Sequence, residues 1–325
     1  MHEDGDNGRR EAWTRYWSSG RLHSCVGSYA GNYDGAIGAF WRTLGAGLPA
    51  GARVLDLATG NGPLPLLLWE LRGDAIEVDA VDLAALSPAW HQPGTHRTVR
   101  FHQGVRMEAL PFAAAGFDCV ASQFGFEYSD RPRALAECLR VSRPTATLAL
   151  VMHHAGSVLV RVGREELAHH ARLLGDDGLL RAALEVIPWI AQARSGAPIQ
   201  DVASANAARE RYNQAMRALA DAAGASPVPD LLHESASAVQ RLLAGVRPEN
   251  ARQAGEALRG YAGELEGARL RTAEMVAHAL ERAQVEEMAA QVRAARPDAQ
   301  VRIDELRQAE GVLAWSFVAT PTDAG

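Results

Sequence analysis

The apolar positions of this chain keep one rhythm through its first half and another through its second. Short apolar runs at 53–57, 76–82, 98–102, 117–122 and 145–152 predict strands, and amphipathic stretches at 63–72 and 131–141 predict helices between them. Such alternation predicts a parallel sheet with helices on both faces. Ligands of such sheets sit at the carboxyl ends of the strands, where Asp56, Asp82, Ser122 and His153 would gather. Ahead of the first strand, residues 1–9 are polar and acidic and are expected to be disordered, while 10–48 are helical in tendency and rich in aromatics. From 157 to 296 the strand pattern stops, with prolines 188, 198, 227, 229 and 248 as punctuation. Leu179, Leu180, Ala183, Leu184 and Ile187 form one amphipathic stripe there, and Val239, Leu242, Leu243 and Val246 form another. Pro248 suits the first turn of a long helix or helix pair. Strand patterns return at 300–306 and 313–318, joined around Glu310 and Gly311.

The segment Arg53-Val54-Leu55-Asp56-Leu57-Ala58-Thr59-Gly60-Asn61-Gly62 carries the candidate chemistry. A buried strand ends in an acid, then in a loop with two glycines, then in a helix that starts at Pro63. This is the layout of a nucleotide-type cofactor site, where glycine lets the backbone approach a ligand. A dinucleotide loop would need a third small residue where Pro65 stands, and Asp56 would repel a pyrophosphate. S-adenosylmethionine (SAM) has no phosphate and carries a sulfonium and an ammonium, so the same acid would attract it. Asp82 ends the second strand near the roughly 20-residue offset at which a carboxylate meets ribose hydroxyls. Asp79 reads as a strand residue on the wetter face.

With these segments in order, the chain resembles the class I SAM-dependent methyltransferases, in particular their small-molecule, ubiquinone-biosynthesis-like branch. The residues that carry the resemblance are VLDLATGNG at 54–62, VDAVDL at 78–83, EALPF at 108–112, FDCVASQFGFEY at 117–128 and ATLALVMHH at 146–154. It implies a Rossmann-like, seven-stranded, mostly parallel sheet closed by an antiparallel C-terminal hairpin, with a large helical insertion after the fifth strand. Residues 49–156 and 297–325 would form the SAM-binding domain, 1–48 a helical lid, and 157–296 an insertion walling the substrate pocket. The resemblance puts Asp56, Ala58, Thr59, Gly60 and Gly62 around the methionine part of SAM, and Asp82 and Leu83 at the ribose. Arg106 and Met107 would border the adenine, and Ser122, Gln123 and Phe124 the methyl side. Two departures stand out: Ala58 replaces a frequent glycine, and Arg106 replaces a frequent acid aimed at the adenine amino group.

Composition narrows the classes further. All 33 basic residues are arginine, which removes Schiff-base lysines and the phosphate-binding lysine of P-loop enzymes. The net charge of −6, with no long basic run, disfavours a nucleic-acid groove. Cys25, Cys119 and Cys138 are too scattered for a disulfide framework, and no His, Asp or Glu grouping has metal-ligand spacing. No run is long and apolar enough for a membrane span or a signal-peptide core, so a cytoplasmic protein is expected.

Methyl transfer from SAM depends mainly on holding the acceptor about 3 Å from the methyl group. A base matters only when the acceptor must lose a proton. His153 and His154 follow the fifth strand, and because adjacent strand residues face opposite ways at most one should enter the cleft. Glu127 would orient a polar acceptor or begin a helix as a capping acid. Trp13, Tyr16 and Trp17 share one helix face, which either packs on the sheet or closes over SAM with Tyr16 and Tyr29 near the sulfonium. His23, His169 and His170 read as packing or surface residues. The expected function is therefore transfer of a methyl group from SAM to a small-molecule O, N or C acceptor, with S-adenosylhomocysteine as product. The competing reading is a catalytically idle SAM-binding protein whose helical insertion is an interaction module, or a surface for homodimer formation.

Overall fold

The computed structural model describes residues 2–24 and 31–321. Tyr29 and Cys25 lie outside the described residues. Helices α1 (His2–Ser18) and α2 (Gly35–Gly47) precede the sheet. Residues 2–9, expected to be disordered, instead form the first turns of α1, and one of them is held by a distant partner: Arg9 pairs with Glu274 and donates to the Tyr128 carbonyl at 3.0 Å.

Strands β1 (Arg53–Leu57), β2 (Glu77–Asp82), β3 (Val99–Gln103), β4 (Phe117–Gln123) and β5 (Ser142–His153) run parallel. Strands β6 (Ala299–Gln308) and β7 (Gly311–Pro321) close the chain as a hairpin, with β7 antiparallel to β5. The seven-stranded order is β3-β2-β1-β4-β5-β7-β6. Topology reverses between β1 and β4, and such a switch point opens a crevice at the carboxyl ends of the strands. The central strands are buried on both faces, as their continuous apolar runs require. Helices α3 (Pro63–Arg72) and α4 (Arg131–Val141) cover the sheet. Pro63 supplies the first turn of α3, where a missing N–H is tolerated. Asp130 caps α4 by accepting from the Arg133 N–H.

Two cores sandwich the sheet. Leu55, Leu57, Val120, Phe126, Leu150 and Phe317 are among those of one face, and Trp41, Val54, Leu68, Cys119 and Val151 among those of the other. Asp79 is buried, with His102 Nε2 at 2.8 Å and Arg53 paired to it at 3.3 Å, so its face is drier than the alternation suggested.

The described chain divides into two compact units, 1–160 with 274–325, and 161–273. The helices between β5 and β6 run from Val158 to Ala295, and 161–273 of this stretch form the second unit. Helix α10 (Arg282–Ala295) belongs with the sheet, placing Val285, Met288 and Val292 in its core. The second unit is built from α5 (Val158–Leu174), α6 (Leu179–Arg194), α7 (Val202–Ala225), α8 (Asp230–Gly245) and α9 (Ala251–His278), the first and last of which cross its limits. Its core joins Leu180, Ile187, Leu219, Val239, Leu258 and Leu265. Helix α6 runs through Pro188 rather than ending there, whereas Pro248 opens a short 3-10 turn leading into α9. His169 and His170 are buried and not solvated: His169 bonds to the Ser226 hydroxyl and the Val228 carbonyl, and burial pushes His170 down to about 4. No described helix is long and apolar enough to cross a membrane.

Candidate cofactor site

A cavity lies at the carboxyl ends of β1, β2 and β4. Its described wall residues fall between Arg9 and Ser129. Ala58 and Thr59 come from the β1 loop, Asp82 and Leu83 from the tip of β2, Arg106 and Met107 from the β3 loop, and Gln123 and Phe124 from the tip of β4. These eight line the same cavity. The loop conformation is demanding. Gly60 and Gly62 have φ of 56° and 76°, and Ala58, at 52°, adopts the left-handed region despite its Cβ.

Asp82 is the best-defined polar group on the wall. Its carboxylate accepts from the Gly60 N–H and the Ala84 N–H, both at 2.8 Å, which fixes its plane and ties the β2 tip to the glycine loop. Burial pushes its carboxyl up to about 6, against the lowering effect of those bonds. Burial pushes Asp56 higher, to about 8; the Thr59 side chain lowers it and the neighbouring Asp82 raises it.

Several residues stand elsewhere than the resemblance implied. Asp56, Gly60 and Gly62 are not on the cavity wall. The indole of Trp17 covers Gly60, and Phe101 covers Gly62 with Trp90 beside it. Ser122 is fully buried and donates to the Leu57 carbonyl at 3.0 Å, a bond that joins β4 to β1. Tyr16 packs edge-on against Trp13 and Trp17 and donates to the His23 carbonyl, and it does not line the cavity. His23 is buried, facing the Gly31 carbonyl and Tyr33.

Neither histidine after β5 reaches the wall. His153 lies beneath Phe124, the rings stacked with centroids 4.0 Å apart. Its Nδ1 is 2.6 Å from Glu127 Oε1, and the same oxygen accepts the His153 backbone N–H at 2.8 Å. Glu127 thus neither orients an acceptor directly nor caps a helix; it is buried against His153. His154 turns the opposite way, stacking on Trp315 and lying 3.5 Å from Glu305.

Sequence reasoning gave no site role to Arg9, Tyr33 and Glu108, which line the cavity, and Glu108 reaches within 3.8 Å of Arg106. Glu108 supplies an acid two residues from the position where Arg106 replaced one. Asn61, between the two loop glycines, had no role assigned from the sequence. It donates to the Trp17 carbonyl at 2.9 Å and the Arg21 carbonyl at 2.7 Å, and accepts from the Ser87 N–H at 2.8 Å. An asparagine between loop glycines was the available signal.

Residues 54–145 match the family described as Methyltransferase domain. This match, the strand order and the loop at the β1 tip define the sheet as a domain of the class I SAM-dependent methyltransferases. Within that class the resemblance is to the ubiquinone-biosynthesis branch. The chain is 37% identical over 112 residues to the ubiquinone/menaquinone biosynthesis C-methyltransferase of Hahella chejuensis, covering 33% of this chain and 45% of that protein. It is 39% identical over 103 residues to the demethylmenaquinone methyltransferase of Thermus thermophilus, covering 30% of this chain and 46% of that protein. The chain therefore spans less than half the length of these relatives. Among solved structures, it is similar to 1,6-didemethyltoxoflavin-N1-methyltransferase of Burkholderia thailandensis with bound 1,6-didemethyltoxoflavin and S-adenosylhomocysteine. The identity is 20%, over 47% of this chain and 64% of that one, with a TM-score of 0.39.

Proposed function

We propose that this protein binds SAM in the cavity at the β1, β2 and β4 tips and transfers its methyl group to a small molecule. The observation that carries this reading is Asp82: a wall carboxylate held by two backbone N–H groups, each oxygen keeping a lone pair for a ribose hydroxyl. The raised affinity of Asp56 and Asp82 for protons fits a site completed by a cation.

SAM supplies an activated methyl group on a sulfonium, so the chain's part is to bind, orient and exclude water. Trp13, Trp17, Tyr33, Phe124 and Tyr128 present aromatic surface to the cavity, which suits a sulfonium. Glu108 and the Met107 backbone would meet the adenine edge. His153 and Glu127 act in this reading as positioning residues: the imidazole, 2.6 Å from the Glu127 carboxyl oxygen, is the platform that holds the Phe124 ring on the wall. The acceptor is a small molecule whose methylated atom is left open among O, N and C; the names of the relatives make carbon the first to test.

Calorimetric titration with SAM and with NAD tests this reading. Binding of SAM alone is expected, with Asp82→Ala weakening it about tenfold or more. Heat only with NAD would overturn it.

A further inference from the structure

Strand β6 is the outermost strand of the sheet, and all of its ladder partners belong to β7. Among the described residues no strand lies along its other side. An open edge of this kind presents backbone N–H and C=O groups to any strand that can pair with it. Two side chains show which residues present them. The Ser316 hydroxyl, on β7, donates to the Asp304 carbonyl at 3.3 Å, so the backbone groups of Asp304 turn inward. Direction alternates along a ladder strand, so Val301, Ile303 and Glu305 turn theirs to the open side. In keeping with this, the Val301 carbonyl is met at 3.5 Å by Arg293 of α10 and not by β7.

Charged side chains usually keep an edge strand from pairing. Here their order makes the edge complementary to itself. Arg302 and Asp304 project from one face, 72% and 57% exposed, and pair with each other at 3.0 Å across Ile303. Two copies of β6 laid antiparallel about Ile303 bring Arg302 of each opposite Asp304 of the other, so the four charges alternate in sign. The same register sets Ile303 against Ile303 and lets 301, 303 and 305 exchange the hydrogen bonds. Pairing about Arg302 or about Asp304 would instead set like charges face to face. We propose that β6 is a self-association edge, on which a second copy of this chain docks antiparallel about Ile303 and joins the two sheets into one.

Sedimentation velocity on the full chain over a dilution series tests this. The wild type is expected to dimerise as concentration rises, and salt should weaken the dimer. Arg302→Asp and Asp304→Arg each place like charges across the axis and should weaken association about tenfold or more. Both residues are exposed, so the circular dichroism and urea midpoint of each variant should match the wild type. Mixing the two single variants, or combining both substitutions in one chain, restores opposite charges and should recover association. A wild type that stays monomeric at every concentration overturns the proposal. So does a dimer that neither single variant weakens, which would place the contact on another surface, or a loss that mixing does not recover.

Discussion

The indole of Trp17 lies directly on Gly60, its Cζ2 2.5 Å from where a Cβ would stand. The end of helix α1 is thus seated on the glycine loop of β1, and the loop's freedom from side chains serves a protein ring as well as any ligand. Gly60→Ala meets that ring and a φ of 56° together. It is expected to destabilise the fold by about 1–3 kcal/mol and to displace Trp17. Urea unfolding with tryptophan fluorescence measures both; an unchanged spectrum and midpoint would show that the contact is not maintained in solution.

Asn61 secures the same junction through polar contacts. It spends both amide hydrogens on carbonyls of 17 and 21 and its oxygen on the Ser87 N–H. Asn61→Ala strands three backbone groups and is expected to cost about 2–4 kcal/mol. Hydrogen exchange should accelerate at the end of α1 and around 84–88 while β1 and β4 stay protected. Uniform acceleration throughout would contradict a local clamp.

Asp56 and Asp82 make both stability and ligand binding depend on pH. Their carboxyls are pushed from 3.8 up to about 8 and about 6 in the folded protein, chiefly by burial. The folded state then holds these protons more tightly than the unfolded chain. Stability contributed by the two groups is greatest below pH 4 and declines as pH rises through 6 and 8. A cationic ligand should reverse their preference and expel protons. SAM affinity is expected to climb between pH 6 and 7.5, with proton release seen as a buffer-dependent calorimetric enthalpy. Proton uptake on binding would refute the charge argument.

Glu127 tests the platform beneath Phe124. Glu127→Ala leaves the His153 backbone N–H and imidazole without their acceptor in a buried site. A loss of about 3–5 kcal/mol is expected, with Glu127→Gln recovering part of it through its remaining carbonyl oxygen. SAM affinity should fall more in the alanine variant than in the glutamine variant as Phe124 loosens. Equal affinity in both variants and the wild type would remove the positioning role.

The strand tips were readable because each is a local event. Short apolar runs announced β1, β2 and β4, and the residue at each end followed from where the run stopped. Asp82 and Gln123 on the wall are products of that logic. Asp56 belongs to the same pattern, yet its exposure is 2% and it lies off the wall. Periodicity gives the face of a strand; it carries no information about which rings of another element will cover that face. Pro188 illustrates a different gap: the local rule ends a helix at proline, but α6 continues because Val186, Ile187 and Ala191 are buried on both sides of it.

From the chain alone came the doubly wound sheet, the closing hairpin, the glycine loop and the acids at neighbouring strand ends, all signalled by residues within a few positions of each other. Tertiary packing decided what those parts face. Trp17 over Gly60, Trp41 on Gln123, His153 beneath Phe124 and Arg9 on Glu274 join residues 29 to 265 positions apart. Partners that distant share no local pattern, because only the burial of apolar surface by the folded sheet and its flanking helices brings them into contact.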